Sequence, residues 1–265
     1  MLKKSLLMAA VVLAIQAAGL FAGVEWQSKI TDTVKGKAKI TLVHTYAQAG
    51  NVRQDFVDVK TDANPFMKEG SYWLYKGESD KVMVVDSQEK TYMEVPLESL
   101  TQMAGAMGQI VKMTITEPKV EAVAKGKETV AGYECDHLQI NSSYKMETKI
   151  AFMKMQTAVE QSQELWATKA IDIKELAASF KRKSFRTGFT DLDVLMEKQM
   201  QAYKDLGFTV KSITTTKNTD NKGKSEVNVQ QMDVTEVTSK NLDASLFEIP
   251  AGFTRQEFFL PGTAK

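Results

Sequence analysis

Cysteine is almost missing from this chain: its 265 residues contain one, Cys135. A single thiol closes no disulfide within the chain, so the fold stands without covalent staples. Histidine is nearly as scarce, with only His44 and His137. Zinc-protease HExxH spacing, phosphate-cradling glycine loops and the GxSxG elbow are all absent. The formal charge is +1, with no basic domain and no stacking motif, so nucleic acid is not an expected partner. Beyond the first 22 or so residues no segment reaches the ~20 apolar residues needed to cross a bilayer.

The N-terminus is where apolar residues do run together. Leu2, Lys3 and Lys4 form a short positive region, residues 6–15 are unbroken apolar, and Ala17, Ala18, Gly19 and Ala22 follow. This is the layout of a secretory signal peptide, expected to be cut after Ala22. Export to the periplasm follows. No cysteine stands at the junction, so lipid attachment there is not expected. Loss of Lys3 and Lys4 takes the formal charge from +1 to −1. The remainder, 23–265, is long enough for one domain with a real core.

From residue 23 to 95 the pattern is strand after strand. Over 39–47, Ile40, Leu42, His44 and Tyr46 fall on one face at period two, with Lys39, Thr41 and Thr45 on the other. Ala49, Gly50 and Asn51 signal a turn. Period three-to-four takes over at 96–112, where Leu97, Leu100, Met103, Ala104, Met107, Ile110 and Val111 make an apolar helical stripe weakened by Gly105 and Gly108. Strands resume at 113–116 and 120–125, and again at 149–155 and 163–168. Two helices are expected over 172–180 and 190–206. Asp172 and Glu175 stand at capping-box spacing on the first, and Gly207 stands as the stop of the second. A hairpin over 208–237 follows. The sum is roughly ten antiparallel strands with three inserted helices, one α+β domain.

Chemistry is concentrated, if anywhere, in residues 125–140, around Gly132, Cys135 and His137. Cys135 and His137 share a strand face, and thiolate with imidazole suits copper or zinc. Two ligands are half a site, with His44 a third only if its strand is a neighbour. Read instead as nucleophile and base, the pair lacks an orienting group and an oxyanion hole. Met103, Met107, Met113, Met146, Met153 and Met155 fit a packed core or an adaptable apolar surface. No catalytic residue, metal site or cofactor is therefore assigned, and no enzyme is expected.

Gly132-Tyr133-Glu134-Cys135, then Glu164-Leu165-Trp166-Ala167-Thr168, then the run from Leu242 through Phe247, Pro250 and Gly252 to Phe253 resemble an uncharacterised family of secreted bacterial proteins known only as a domain of unknown function. That family is similar to the periplasmic carrier of lipoproteins, LolA, and to relatives such as the stress-sensing regulator RseB and the lipid-binding mycobacterial lipoproteins. The resemblance implies a single strongly curved antiparallel sheet, an unclosed half-barrel, with three helices covering an apolar concave face. It implies a monomeric, non-enzymatic carrier for a lipid, lipoprotein or other apolar ligand. The lining and lid would be Ile40, Leu42, Leu100, Met103, Met107 and Ile110. Two other readings stay open: an envelope protein-interaction or stress-sensing module, and copper or zinc binding through Cys135 and His137.

Overall fold

The structure is a computed structural model that describes residues 23–60, 67–77, 79–96, 111–150, 153–171, 189–202 and 205–258. Twelve strands form one sheet: β1 Gly23–Val34, β2 Lys37–Gln48, β3 Asn51–Val59, β4 Ser71–Tyr75, β5 Lys81–Asp86, β6 Thr91–Pro96, β7 Val111–Val130, β8 Tyr133–Ile150, β9 Met153–Thr168, β10 Phe208–Asp220, β11 Ser225–Ser239 and β12 Thr254–Gln256. Their spatial order is β12-β6-β5-β4-β3-β2-β1-β11-β10-β9-β8-β7. Two antiparallel meanders are thus laid side by side and joined where β1 pairs with β11.

Glycine turns set much of this register. Val34 pairs with Lys37, Gln48 with Asn51, and Val130 with Tyr133. Each pair brackets two residues at positive φ: Lys35-Gly36, Ala49-Gly50 and Ala131-Gly132. A two-residue loop with both φ positive matches the twist of the strands it joins, which is why glycine stands second in all three.

The expected half-barrel is corrected on three counts. The sheet has twelve strands rather than about ten; like the expected unclosed sheet it is open, ending at β7 and β12. It is mixed rather than antiparallel, because β12 lies parallel to β6. Three residues, Thr254-Arg255-Gln256, carry no periodicity by which sequence could have announced that strand. In place of three covering helices, one α-helix stands among the described residues, α1 Thr190–Ala202. Residues 97–110 and 172–188, which carry most of the other two expected helices, lie outside the described residues. Pro96, Val111 and Lys112 at the ends of the first are strand. The separate strands expected over 113–116 and 120–125 are one strand, β7, carrying register shifts at Thr116/Lys119 and Ala124/Gly126. Those expected over 149–155 and 163–168 belong chiefly to one strand, β9, and Lys149 and Ile150 close β8.

The buried face of β2 also differs from the aliphatic one. Thr41, Val43, Thr45 and Ala47 are buried, while Leu42 is 38% exposed. The reason is register. Val43 and Ala47 stand opposite Ser28 and Val24 of β1 and Phe56 and Val52 of β3, and all four of these are buried. A strand buries the side its neighbours bury.

Two apolar clusters hold the sheet. One runs along a single end of the strands, from Val24, Ala47 and Val52 through Phe208, Val210 and Val234 to Cys135 and Trp166. The other forms where the C-terminal run crosses β4 and β5: Leu242 and Phe247 pack on Tyr72, Leu74 and Val85. Gln48 takes both the N–H and the C=O of Leu242, at 2.7 and 3.1 Å. Arg53 donates to the Leu246 carbonyl at 3.1 Å while paired with Asp55 at 2.6 Å. Asp243 accepts from the Ser245 N–H at 2.8 Å and caps the 3-10 turn Ala244–Phe247. The family-like motif at the C-terminus is therefore a packing strap.

α1 is described as far as Ala202, and Asp205 and Leu206, which directly precede Gly207, are not helical. Gly207 sits at φ +97, and a Cβ there would lie 2.5 Å from the Thr168 carbonyl oxygen. Gly36, at φ +73, has nothing within 4 Å of the same position. Gly36→Ala is expected to cost about 1–2 kcal/mol from left-handed backbone strain alone. Gly207→Ala adds a backbone clash and is expected to cost clearly more in denaturant unfolding; equal losses would refute the close approach.

A pH dependence follows at the β8–β9 hairpin. Lys154, Gln156 and Lys149 hold the Glu147 carboxyl down at about 2. A depressed carboxyl contributes stability that is complete above its unfolded value near 4.5 and is lost as pH falls toward 2. Glu147→Gln removes that contribution. The variant is expected to lose some stability at neutral pH, to match the parent near pH 2, and so to show a flatter acid limb between those limits in unfolding titrations.

Candidate functional site

The Ala131-Gly132 turn fixes what faces Cys135 and His137. Across the hairpin Cys135 stands opposite Glu128, and on the other side His137 stands opposite Trp166 of β9. Cys135 is 0% exposed and its thiol points to the Tyr133 carbonyl at 3.4 Å. Burial pushes this thiol up, so it is held as the neutral, poorly nucleophilic form.

His137 is 8% exposed and stacks on Trp166 with ring centroids 4.2 Å apart. Its Nδ1 lies 2.8 Å from Glu128 Oε1 and its Nε2 lies 3.0 Å from Glu164 Oε2. The second Glu128 oxygen accepts from Trp166 Nε1 at 3.0 Å. The Trp166 hydrogen bond first, and that of His137 second, hold the Glu128 carboxyl below its ordinary range. Lys211 of β10, the cross-strand partner of Trp166, places Nζ 5.0 Å from the ring centroid on the indole. Four neighbouring strands are thereby tied together by one polar network in which both imidazole nitrogens are engaged. Sequence reasoning missed Glu128 and Glu164. Glu164 shares a strand face with Trp166 two residues on, but only the β8–β9 register brings it to His137. Glu128 became legible only with the hairpin register.

Among the described residues Cys135 and His137 gain no third metal ligand. His44 lies in β2, five strand steps from β8, on the order of 24 Å across a flat sheet. It instead pairs with Tyr46 at 3.0 Å and Glu25 at 3.8 Å. Among the described residues no group of three His, Cys, Asp or Glu side chains is placed to hold a metal ion. Of the methionines, Met113 and Met155 stand opposite the same residue, Thr148, from the two sides of β8, and Met155 is exposed.

A groove opens elsewhere, between α1 and the edge strand β7. The helix docks through buried Leu195 and through Gln199, which donates to Ser142 at 3.0 Å and to Gln161 at 3.1 Å. At its first turn Asp191 accepts the Ile115 N–H at 3.2 Å and so satisfies a donor of the sheet's last strand. Toward the helix's C-terminal end the two elements leave a groove of about 660 Å³. Pro118, Val120 and Ala122 form its floor, Ala202 and Gln201 its helix side, with Lys119 and Lys198 beside them. Among the described residues neither lysine is ion-paired. Ile40 and Leu42, the sequence-derived lining residues, lie on β2 with five strands between them and β7. Ile40 is half-buried and Leu42 exposed. Leu100, Met103, Met107 and Ile110 lie outside the described residues.

The buried thiol gives a direct check. Native protein is expected to leave Cys135 unreacted with Ellman's reagent at pH 8 and to release one equivalent once unfolded; rapid reaction of the folded chain would contradict the packing. His137→Ala is expected to lower stability by about 2–4 kcal/mol, since it removes a buried stacked ring and two hydrogen bonds.

No curated protein matches the chain. Similar solved structures include an uncharacterized conserved protein from Thermus thermophilus, at 12% identity and TM-score 0.39 over 95% of this chain and 99% of that one. A DUF1329 family protein from Desulfovibrio piger follows at 10% and 0.33, over 89% and 93%. A putative outer membrane lipoprotein-sorting protein domain from Vibrio parahaemolyticus stands at 8% and 0.28, over 86% and 89%. A family match covers residues 49–253, from the Ala49-Gly50 turn to the end of the C-terminal strap, and on it the chain belongs to the family described as Domain of unknown function (DUF4412).

Proposed function

We propose that this is a non-enzymatic binding or carrier protein for a lipid, lipoprotein or other apolar ligand, working as a monomeric single domain in the periplasm after loss of residues 1–22. The observation that carries the reading is the groove between α1 and β7. Its volume of about 660 Å³ falls in the range of ligand sites, roughly 300–1,000 Å³, and its floor is apolar. The signal-peptide layout of the first 22 residues and the motif resemblance to LolA-type carriers point the same way. Ile40, Leu42, Leu100, Met103, Met107 and Ile110 belong to the same proposal as further apolar lining. The engaged imidazole of His137 and the buried thiol of Cys135 supply no exposed nucleophile, which favours binding over catalysis.

Strand addition by a partner protein is the competing use of β7. Glu117 at φ 57, Pro118 and two register shifts interrupt this edge, features that hinder pairing with another strand. Binding in the groove is the better-supported use.

Native mass spectrometry of the mature protein, purified gently from the periplasm, is expected to find acyl-bearing adducts. Ala122→Trp, an exposed position on the groove floor, is expected to remove them while stability stays within about 0.5 kcal/mol of the parent. Adduct-free parent protein that also takes up no added amphiphile would sink the carrier reading.

A further inference from the structure

We infer that Met113, Met146 and Met155 form a binding site for one Cu(I) ion, held over Thr148 on one face of the sheet. These residues are distinct from Cys135 and His137, near the other end of β8, and from the groove beside α1. Met113 of β7 and Met155 of β9 both pair with Thr148 of β8, so all three side chains share a face. Met146 precedes Thr148 by two residues and stands on that face as well. The ladder is regular here: the first shift in β7 comes at Thr116/Lys119, and β8 pairs with β9 in even steps from Asp136↔Ala167 to Ile150↔Met153. Strands lie about 4.8 Å apart, which separates the outer two methionines by about 10 Å with Thr148 midway. Met146 is a diagonal neighbour of both, at about 7–8 Å. Threonine is short, whereas methionine is long and unbranched with three rotatable bonds. Three thioethers therefore surround a low point of the face and can lean in over it.

A thioether is a soft, uncharged donor. It suits Cu(I), whereas Zn²⁺ takes thiolate, imidazole and carboxylate, and harder cations take oxygen. The charges of this corner belong to the opposite face, where Lys149 and Lys154 both reach Glu147. Ile115 and Thr157, which pair with Met146 from its two sides, complete the methionine face and carry no charge. A monovalent cation on neutral sulfurs meets no ammonium group at these positions. Asp191, the carboxylate that α1 brings to β7, is engaged by the Ile115 N–H. The face is also open to an incoming ion. Met155 is 49% exposed, Met113 and Met146 are half-buried, and the β9–β10 ladder ends at Asp220↔Thr157, so no β10 residue pairs with Met155.

The test titrates Cu(I), delivered anaerobically from its bicinchoninate complex, into the full mature chain carrying ¹³C in the methionine methyl groups. The parent is expected to take up one equivalent, with the methyl signals of Met113, Met146 and Met155 shifting together and the other methionines unmoved. Affinity is expected to be the same at pH 6 and pH 8, because a thioether has no proton to lose on binding, while thiol and imidazolium groups do. Met155→Leu, which keeps the volume of an exposed side chain, is expected to weaken uptake by about a hundredfold, since even outer-shell partners of a metal are worth about 10–100-fold. Its unfolding midpoint, unchanged from the parent, is the folding control. No uptake by the parent would overturn the inference. So would full uptake by Met155→Leu, a response at other methionines, or affinity that falls with acid, since each places the metal elsewhere. The carrier reading survives any of these results, because its groove lies between α1 and β7.

Discussion

The pairing of β1 with β11 is the constraint on which the rest of the molecule depends. It runs from Val24↔Ser239 to Val34↔Asn228 with one shift at Gln27/Ser28. Its side-chain bond from Gln27 to Glu236 joins residues 209 positions apart. Without it the chain holds two separate meanders, each with a long unpaired edge. Local turns cannot make this seam, because the closure entropy of the intervening chain must be met before any contact forms. What offsets that cost is burial at one end of the sheet. Trp26 of β1 meets Phe208 of β10 edge to face at 5.3 Å, across the strand β11 that lies between them.

Once the seam is set, each half is finished differently. The β1–β6 half is covered by the chain's own C-terminal run, which is locked by Gln48 and Arg53 to backbone atoms and ends as the parallel strand β12 beside β6. The β7–β11 half is tied laterally by the His137 network and closed at its edge by Asp191 of α1. The network and the groove use different parts of β7, with Glu128 near its end and Pro118 to Ala122 near its middle. The residues that looked most like chemistry secure the sheet, whereas the groove beside α1 has Pro118, Val120 and Ala122 along β7.

Particular residues show how far the sequence was readable. Ala49-Gly50 announced its hairpin because a two-residue turn with positive φ favours glycine. The period-two run in β2 announced a strand but not its buried side. Thr41 and Thr45 are inside because Ile30 and Trp26 stand opposite them, a matter of pairing and not of side-chain polarity. The stretches 113–116 and 120–125 read as separate strands, yet register shifts let one strand of 20 residues run through Pro118. In the candidate site Cys135 and His137 were the right place to look for a polar cluster. Glu128 and Glu164 come from two other strands and could not be attached to them without the ladder.

The sequence by itself determined the strand-rich meanders, their glycine turns, the lack of a disulfide within the chain, and the C-terminal motif that marks the family. These are local properties, set by backbone conformation and by side-chain period within a few residues. Only the tertiary structure decided that β1 sits at the centre beside β11, that the sheet is mixed and open with twelve strands, that His137 is clamped between Glu128 and Glu164, and that α1 leaves a groove along β7. Each of those depends on which distant strands become neighbours. That choice is made by burial summed over the whole sheet, and no single stretch of chain records it.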